Sequence, residues 1–265
     1  LGLEKREARL EARVLAAFVW DVSPAWLIAH DTDPLSDTHV EAFESLLTRR
    51  LEGVPIAYLV GMREFYGRPF QVSPDTLIPR PDTELLVELA LARLPPGQAL
   101  DVLDLGTGSG CIAITLALER PLVHVTAVDR SSAALAIAQR NAGNLNACVE
   151  FLASDWFDAL AGRRFDLIVS NPPYIAAADP HLARGDVRFE PLSALAAGQD
   201  GLDDLRRLAR AARAHLKPGG TLLLEHGYDQ ADAVRSLLRE NGIGHPESWV
   251  DLAGNPRVSG GKVSE

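Results

Sequence analysis

The sequence predicts an α/β fold: a seven-stranded, doubly wound sheet, preceded by a small N-terminal all-α helical bundle and joined to it by a hairpin. Three observations predict it. Apolar residues recur at helical spacing over residues 1–60, strand and helix patterns alternate from Arg80 onward, and a glycine-rich loop follows the first strand of that alternation.

The bundle comes first. In "EKREARLEARVLAAFVW" Leu10, Val14 and Phe18 form a helical stripe, and Ser23-Pro24 reads as an N-cap followed by proline at the first helical position. Val40, Phe43, Leu47 and Leu51 form a second stripe. Residues 61–79, "GMREFYGRPFQVSPDTLIP", mix aromatics with glycine and proline, which suits a hairpin or extended linker. A larger domain over residues 80–265 follows. There the segments "LDVLDL", "VHVTAVD", "VEFLAS", "FDLIVS" and "GGTLLLEHG" read as strands separated by helices, and "SWVDLAGNPRVSGG" reads as a final strand pair. Such alternation implies a largely parallel sheet covered on both faces, with ligands beyond the carboxyl ends of its strands.

Composition narrows the function classes. Apolar residues at 47% and charged residues at 23% describe an ordinary folded protein, and no apolar run approaches a membrane span. Acidic side chains number 36 against 26 basic, a net charge of −10, which argues against nucleic acid as the default partner. The histidines show no metal-ligand spacing, so no metal is expected. Cys111 and Cys148 are the only cysteines; with no signal-peptide pattern at the N-terminus, a reducing cytoplasmic setting is expected. The sequence begins with Leu1 rather than Met.

The chemistry-bearing motifs lie at the expected strand ends. Gly106-Thr107-Gly108-Ser109-Gly110 follows the strand that ends at Leu105. Glycines there let the chain turn sharply and let a ligand approach the backbone. The spacing is GxGxG, whereas a dinucleotide fingerprint is GxGxxG, which disfavours a nicotinamide oxidoreductase. Asp129 ends the next strand, where it can accept from two ribose hydroxyls or simply brace a turn. Asp104, just before the glycines, either accepts from a charged amino group or braces the loop. At the third strand end Asp155 can accept from an adenine amine and Trp156 can stack on or wall off its ring, or both can be structural. Together these suit S-adenosyl-L-methionine, a cationic donor without phosphates.

Asn171-Pro172-Pro173-Tyr174 ends the fourth strand, beside the first in a doubly wound order. Asn171 offers one acceptor and two donors, and the prolines present carbonyls on a stiff frame. A planar amide or exocyclic amine can give one N–H to the Asn171 carbonyl and one to the Pro172 carbonyl, with Tyr174 against its face. That corner can orient a nitrogen for in-line methyl transfer, with Asn171, Pro172 and Tyr174 as its catalytic residues.

Corners of this type serve adenine, guanine and glutamine nitrogens alike. "PIAYLVG", "FYG", "LIPRPDTELLVE", "DLGTGSG", "AVD", "SDWF", "NPPYI" and "DLAGNPRV" together, in order over about residues 50–259, resemble the release factor glutamine methyltransferase family. The resemblance implies a Rossmann-like methyltransferase sheet and N5-methylation of the glutamine in the Gly-Gly-Gln motif of bacterial peptide chain release factors. It assigns Gly106 to Gly110, Asp129, Trp156 and Asn171 to the donor, Asn171 to Tyr174 to the substrate, and Arg80, Thr83 and Glu84 to the pocket rim. A monomer is expected, with the bundle and the connector helping to grip the release factor. The rival reading is a DNA or RNA exocyclic-amine methyltransferase, which needs base extrusion and a basic surface.

Overall fold

The computed structural model describes residues 2–34 and 36–264; Leu1 and Glu265, the outer limits of the two expected domains, lie outside the described residues. Helices α1 (Lys5–Trp20), α2 (Pro24–Ala29), α3 (Asp37–Leu51) and α4 (Ile56–Val60) come first. The Ser23 side chain caps α2, accepting from the Trp26 amide, with Pro24 at its first position as the sequence predicts. The α1 stripe forms on the helix the sequence predicts, and Val14 within it is half-buried. Leu15 is the buried residue, while Leu10 and Phe18 stay 63% and 50% exposed. Arg50 of α3, 5% exposed, takes Glu11 of α1 in a two-pronged grip of 2.7 and 2.8 Å that ties the two helices together.

Strands β1 (Met62–Phe65) and β2 (Arg68–Gln71) form the hairpin, turning through Tyr66-Gly67, both with positive φ. Helix α5 (Glu84–Leu91) follows a single 3-10 turn at Pro81–Thr83. Then come β3 (Asp101–Leu105), α6 (Cys111–Glu119), β4 (His124–Asp129), α7 (Ser132–Leu145), β5 (Val149–Ala153) and β6 (Phe165–Ser170). After a long irregular stretch the chain completes α8 (Asp203–His215), β7 (Leu216–Glu225), α9 (Ala231–Glu240), β8 (Gly244–Val250) and β9 (Pro256–Lys262).

The sheet has seven strands in the order β5-β4-β3-β6-β7-β9-β8. Five run parallel, and β9 enters antiparallel between β7 and β8. Alternate residues of the central strands face opposite layers. Val102, Leu167 and Val169 pack with α5 and α6, whereas Leu103, Leu105 and Ile168 pack with α8 and α9. Helix α6 is apolar nearly all round because it is covered on nearly all sides. The strand order reverses between β3 and β6, and a crevice opens there beyond the carboxyl ends.

Candidate active site

Register alone brings the motif residues to one level. Leu105 pairs with Ser170, Leu105 with Val128, and Asp129 with Ala153, so the residues that follow each partner emerge side by side. The Ser170 hydroxyl donates to the Leu105 carbonyl at 2.7 Å and locks β3 to β6 at that level. The cleft above holds about 940 Å³ of empty space including its open mouth. Gly106, Thr107, Gly108, Ser109, Asp129, Asp155, Trp156, Asn171 and Pro173 all line it.

The glycine loop turns through left-handed backbone at Gly106, Gly108 and Gly110, with φ of 73°, 55° and 82°. Their tasks differ. A Cβ on Gly108 would meet nothing within 4 Å, while one on Gly106 would lie 3.1 Å from the Trp156 ring. Gly110 does not line the cleft; a Cβ there would sit 2.8 Å from Ile114 and 3.1 Å from Ala138, so this glycine lets α6 and α7 approach. The Asp129 carboxylate accepts from the Gly108 amide and the Ser131 amide, each at 2.9 Å. It therefore braces the loop, and its remaining lone pairs face the cleft that it lines.

Trp156 occupies the left-handed region (φ 53°), a costly place for a bulky side chain. Its indole N–H donates to Asp204 of α8 at 3.2 Å, and its ring lies over Gly106 as a wall. Asp155 pairs with Arg207 of α8 at 3.0 Å through one oxygen; the other is buried without a partner. Asp104 lies beneath the loop, fully buried and outside the lining, and accepts from the Thr107 hydroxyl at 2.7 Å. Burial raises its pKa to about 7.

The Asn171 amide donates to the Thr83 hydroxyl at 3.1 Å. Pro172 and Tyr174, expected in the substrate clamp, do not line the cleft. Pro172 is buried, and the Tyr174 ring packs against the core on the α8–α9 side with its hydroxyl 3.4 Å from Glu225. Glu225 ends β7, level with Asn171 because Ser170 pairs with Leu224. Sequence reasoning missed it, since an acidic residue closing a strand ordinarily marks a solvated turn. Here it is 1% exposed, and burial lifts its pKa to about 7 against the opposing effect of the Thr83 hydroxyl.

A second unforeseen element is the stretch from Ala176 to Leu195, which folds back over the cleft mouth. Ile175 bridges Ala196, closing its base, and Pro191, Ser193 and Ala194 join the lining. Glu190, buried within it, pairs with Arg80 and accepts from the Ile78 amide at 3.0 Å. Arg80 and Thr83 of the "PRPDTE" stretch do line the cleft. Glu84 does not; it accepts from the Tyr66 amide at 2.9 Å and anchors the hairpin.

The residues fit S-adenosyl-L-methionine on two structural grounds. Acidic Asp75, Asp129, Asp155 and Asp204 outnumber basic Arg80 and Arg130 around the cleft, and the unpartnered Asp155 oxygen is a ready acceptor for an amine. The open backbone at Gly108 leaves room for close approach.

Comparisons with known proteins agree with this architecture. The family model described as the methyltransferase small domain matches residues 81–185, and the PrmC N-terminal domain matches residues 3–61. A release factor glutamine methyltransferase of Bordetella pertussis is 56% identical, over 96% of this chain and 94% of that protein. One from Salmonella typhimurium is 52% identical, over 97% of this chain and 92% of that protein. Among solved structures, a methyltransferase from Pyrococcus furiosus shares the fold with a TM-score of 0.58 at 18% identity, covering 84% of this chain and all (100%) of that one. By its near-complete alignment to relatives at this level of identity, the chain belongs to the release factor glutamine methyltransferase family.

Proposed function

We propose that the chain transfers the methyl group of S-adenosyl-L-methionine to the side-chain amide nitrogen, N5, of the glutamine in the Gly-Gly-Gln motif of bacterial peptide chain release factors. The observation that carries this reading is the meeting of Asn171 with the glycine loop at one level of the β3–β6 crevice, in a chain of this family. S-adenosyl-L-methionine supplies, when bound, an electrophilic methyl on a cationic sulfur.

The chain's own residues provide position and field. Gly106 to Gly110 offer backbone to the donor, Asp129 accepts from its ribose, Asp155 from its adenine amine, and Trp156 walls the ring. Asn171 Oδ1 accepts one N–H of the substrate amide, with Pro173 as a stiff floor and Tyr174 and buried Pro172 backing the corner. An amide nitrogen is a weak nucleophile, so the rate rests on orientation and on fixed dipoles facing the charge that develops on nitrogen. The proton leaves the nitrogen after the new N–C bond forms.

In this reading residues 1–60 dock the release factor, residues 61–79 link, and residues 80–265 carry the chemistry. Exposed Leu10, Phe18, Ile28 and Leu51 support a docking role for the bundle. The enzyme acts as a monomer in the cytoplasm and contacts no nucleic acid directly. The net charge of −10 weighs against the rival nucleic-acid amine methyltransferase.

The deciding experiment is methyl transfer from labelled S-adenosyl-L-methionine to a purified release factor. A Gln→Ala variant of its Gly-Gly-Gln loop, duplex DNA and ribosomal RNA run in parallel. Label on the wild-type factor alone is expected; label on nucleic acid with none on protein would reverse the assignment.

A further inference from the structure

Asn171 can act as an acceptor toward a substrate amide only if its carbonyl oxygen, not its NH2 group, faces the cleft. Nothing in the asparagine itself decides this, since the two ends of the amide have nearly the same shape. What decides it is the partner behind. Asn171 Nδ2 donates to the Thr83 hydroxyl at 3.1 Å, and Thr83, 3% exposed, lies beside Glu225, whose second oxygen has no hydrogen-bond partner.

A hydroxyl has a single proton. An ionised carboxylate is acceptor-only, so a Thr83 hydroxyl turned toward Glu225 donates there and accepts from Asn171, the direction the Asn171 contact takes. Glu225 is well placed to impose this. It is 1% exposed, one oxygen lies 3.4 Å from the Tyr174 hydroxyl, and the other has no partner in hydrogen-bonding geometry, leaving the Thr83 hydroxyl as its nearby donor. A buried carboxyl with so few partners is expensive to keep, which argues for a task beyond packing.

We propose that Thr83 and Glu225 are positioning residues that fix the polarity of a hydrogen-bond chain, so that Asn171 presents its carbonyl oxygen to the substrate amide. The inference rests on the reading of Asn171 as the substrate clamp. It adds a physical cause: donation toward an anion polarises each amide and hydroxyl in turn and makes Asn171 Oδ1 a stronger acceptor. Asp82, Arg257 and Tyr174 are the ionisable groups that act on Glu225, with Cys111 also within its field. Burial raises the carboxyl to about 7, so the anion prevails above neutrality.

The test uses the full chain with Thr83→Val, Thr83→Ser, Glu225→Gln and Asn171→Ala. Three quantities are read: turnover on a release factor, donor affinity by calorimetry, and the 15N-labelled Asn171 side-chain amide, assigned by its absence in Asn171→Ala. Thr83→Val and Glu225→Gln are expected to lose at least tenfold in kcat, to keep donor Kd within about twofold, and to shift the Asn171 amide protons. Thr83→Ser, which restores the hydroxyl, should stay within about threefold of wild type. The relay is overturned if Thr83→Val keeps wild-type turnover or leaves the Asn171 amide signals in place while Asn171→Ala is crippled. Wild-type turnover in Asn171→Ala would instead remove the clamp, and the relay with it.

Discussion

At the scale of single residues, the site divides into groups that face the cleft and groups that hold them there. Asn171 belongs to the first, and its removal should be felt in the chemical step. Asn171→Ala is expected to lower turnover by about 10²–10³-fold with donor affinity nearly intact, the size of loss seen when one preorganised transition-state contact is deleted. Single-turnover rates beside calorimetric donor Kd separate the two, and an unchanged rate would rule the clamp out. The cleft-facing residues were legible because they sit at the strand ends: the glycines after β3, Asp129 closing β4, Asp155-Trp156 after β5 and Asn171 with its prolines after β6. Their supports were not. Thr83 was read only at the pocket rim, and Glu225 was not read at all, because only the pairing of β6 with β7 brings it to the level of Asn171. Tyr174 shows the opposite failure, because its motif suggested a stacking partner while its ring packs against the core on the α8–α9 side.

At the scale of elements, strand and helix order in the sheet domain was readable throughout, because buried strands with flanking apolar helices leave a strong periodic signal. Two elements escaped. The stretch from Ala176 to Leu195 has no apolar period and is built from short 3-10 turns held by side-chain bonds. In the bundle the apolar stripes are only half-buried, and a charged junction that no apolar period reveals joins the helices. Arg50 binds Glu11 in α1, Asp186 in the stretch over the cleft, and the carbonyls of Gly53 and Val54. Arg188 reinforces the junction by donating to the Glu52 carbonyl at 2.7 Å. Arg50→Ala strands the half-buried Glu11 carboxylate and should cost about 3 kcal/mol, the low end for a broken buried pair because Glu11 and Asp186 are both part-exposed. The loss should be local: amide exchange in α1 and α3 quickening about a hundredfold, with β3 and β6 unchanged. Exchange within threefold of wild type in both helices would show that the junction is not what holds the bundle.

At the scale of the whole molecule, two fully buried carboxyls tie stability to pH. Asp104 and Glu225 ionise near 4 in an unfolded chain, whereas burial raises both to about 7 in the folded protein. Between those values the native state holds protons that the unfolded state has released. Stability therefore falls as pH rises through the window from about 4 to 7, the reverse of the usual salt-bridged carboxylate. Asp104 isolates the effect, because Thr107, the Ala113 amide and Asp129 are its main neighbours and an asparagine can still accept from the Thr107 hydroxyl. In donor-free urea unfolding, Asp104→Asn should gain on wild type between pH 5.5 and pH 8, by about 2 kcal/mol. A stability difference that is the same at both pH values would mean that Asp104 titrates normally. The cost falls where the chemistry needs it: a carboxyl under the glycine loop and another behind Asn171 are both worse for the empty fold at neutral pH than neutral side chains. Their presence on β3 and at the end of β7, beside the crevice, matches the general pattern in which a fold departs from its own packing rules only at a working site.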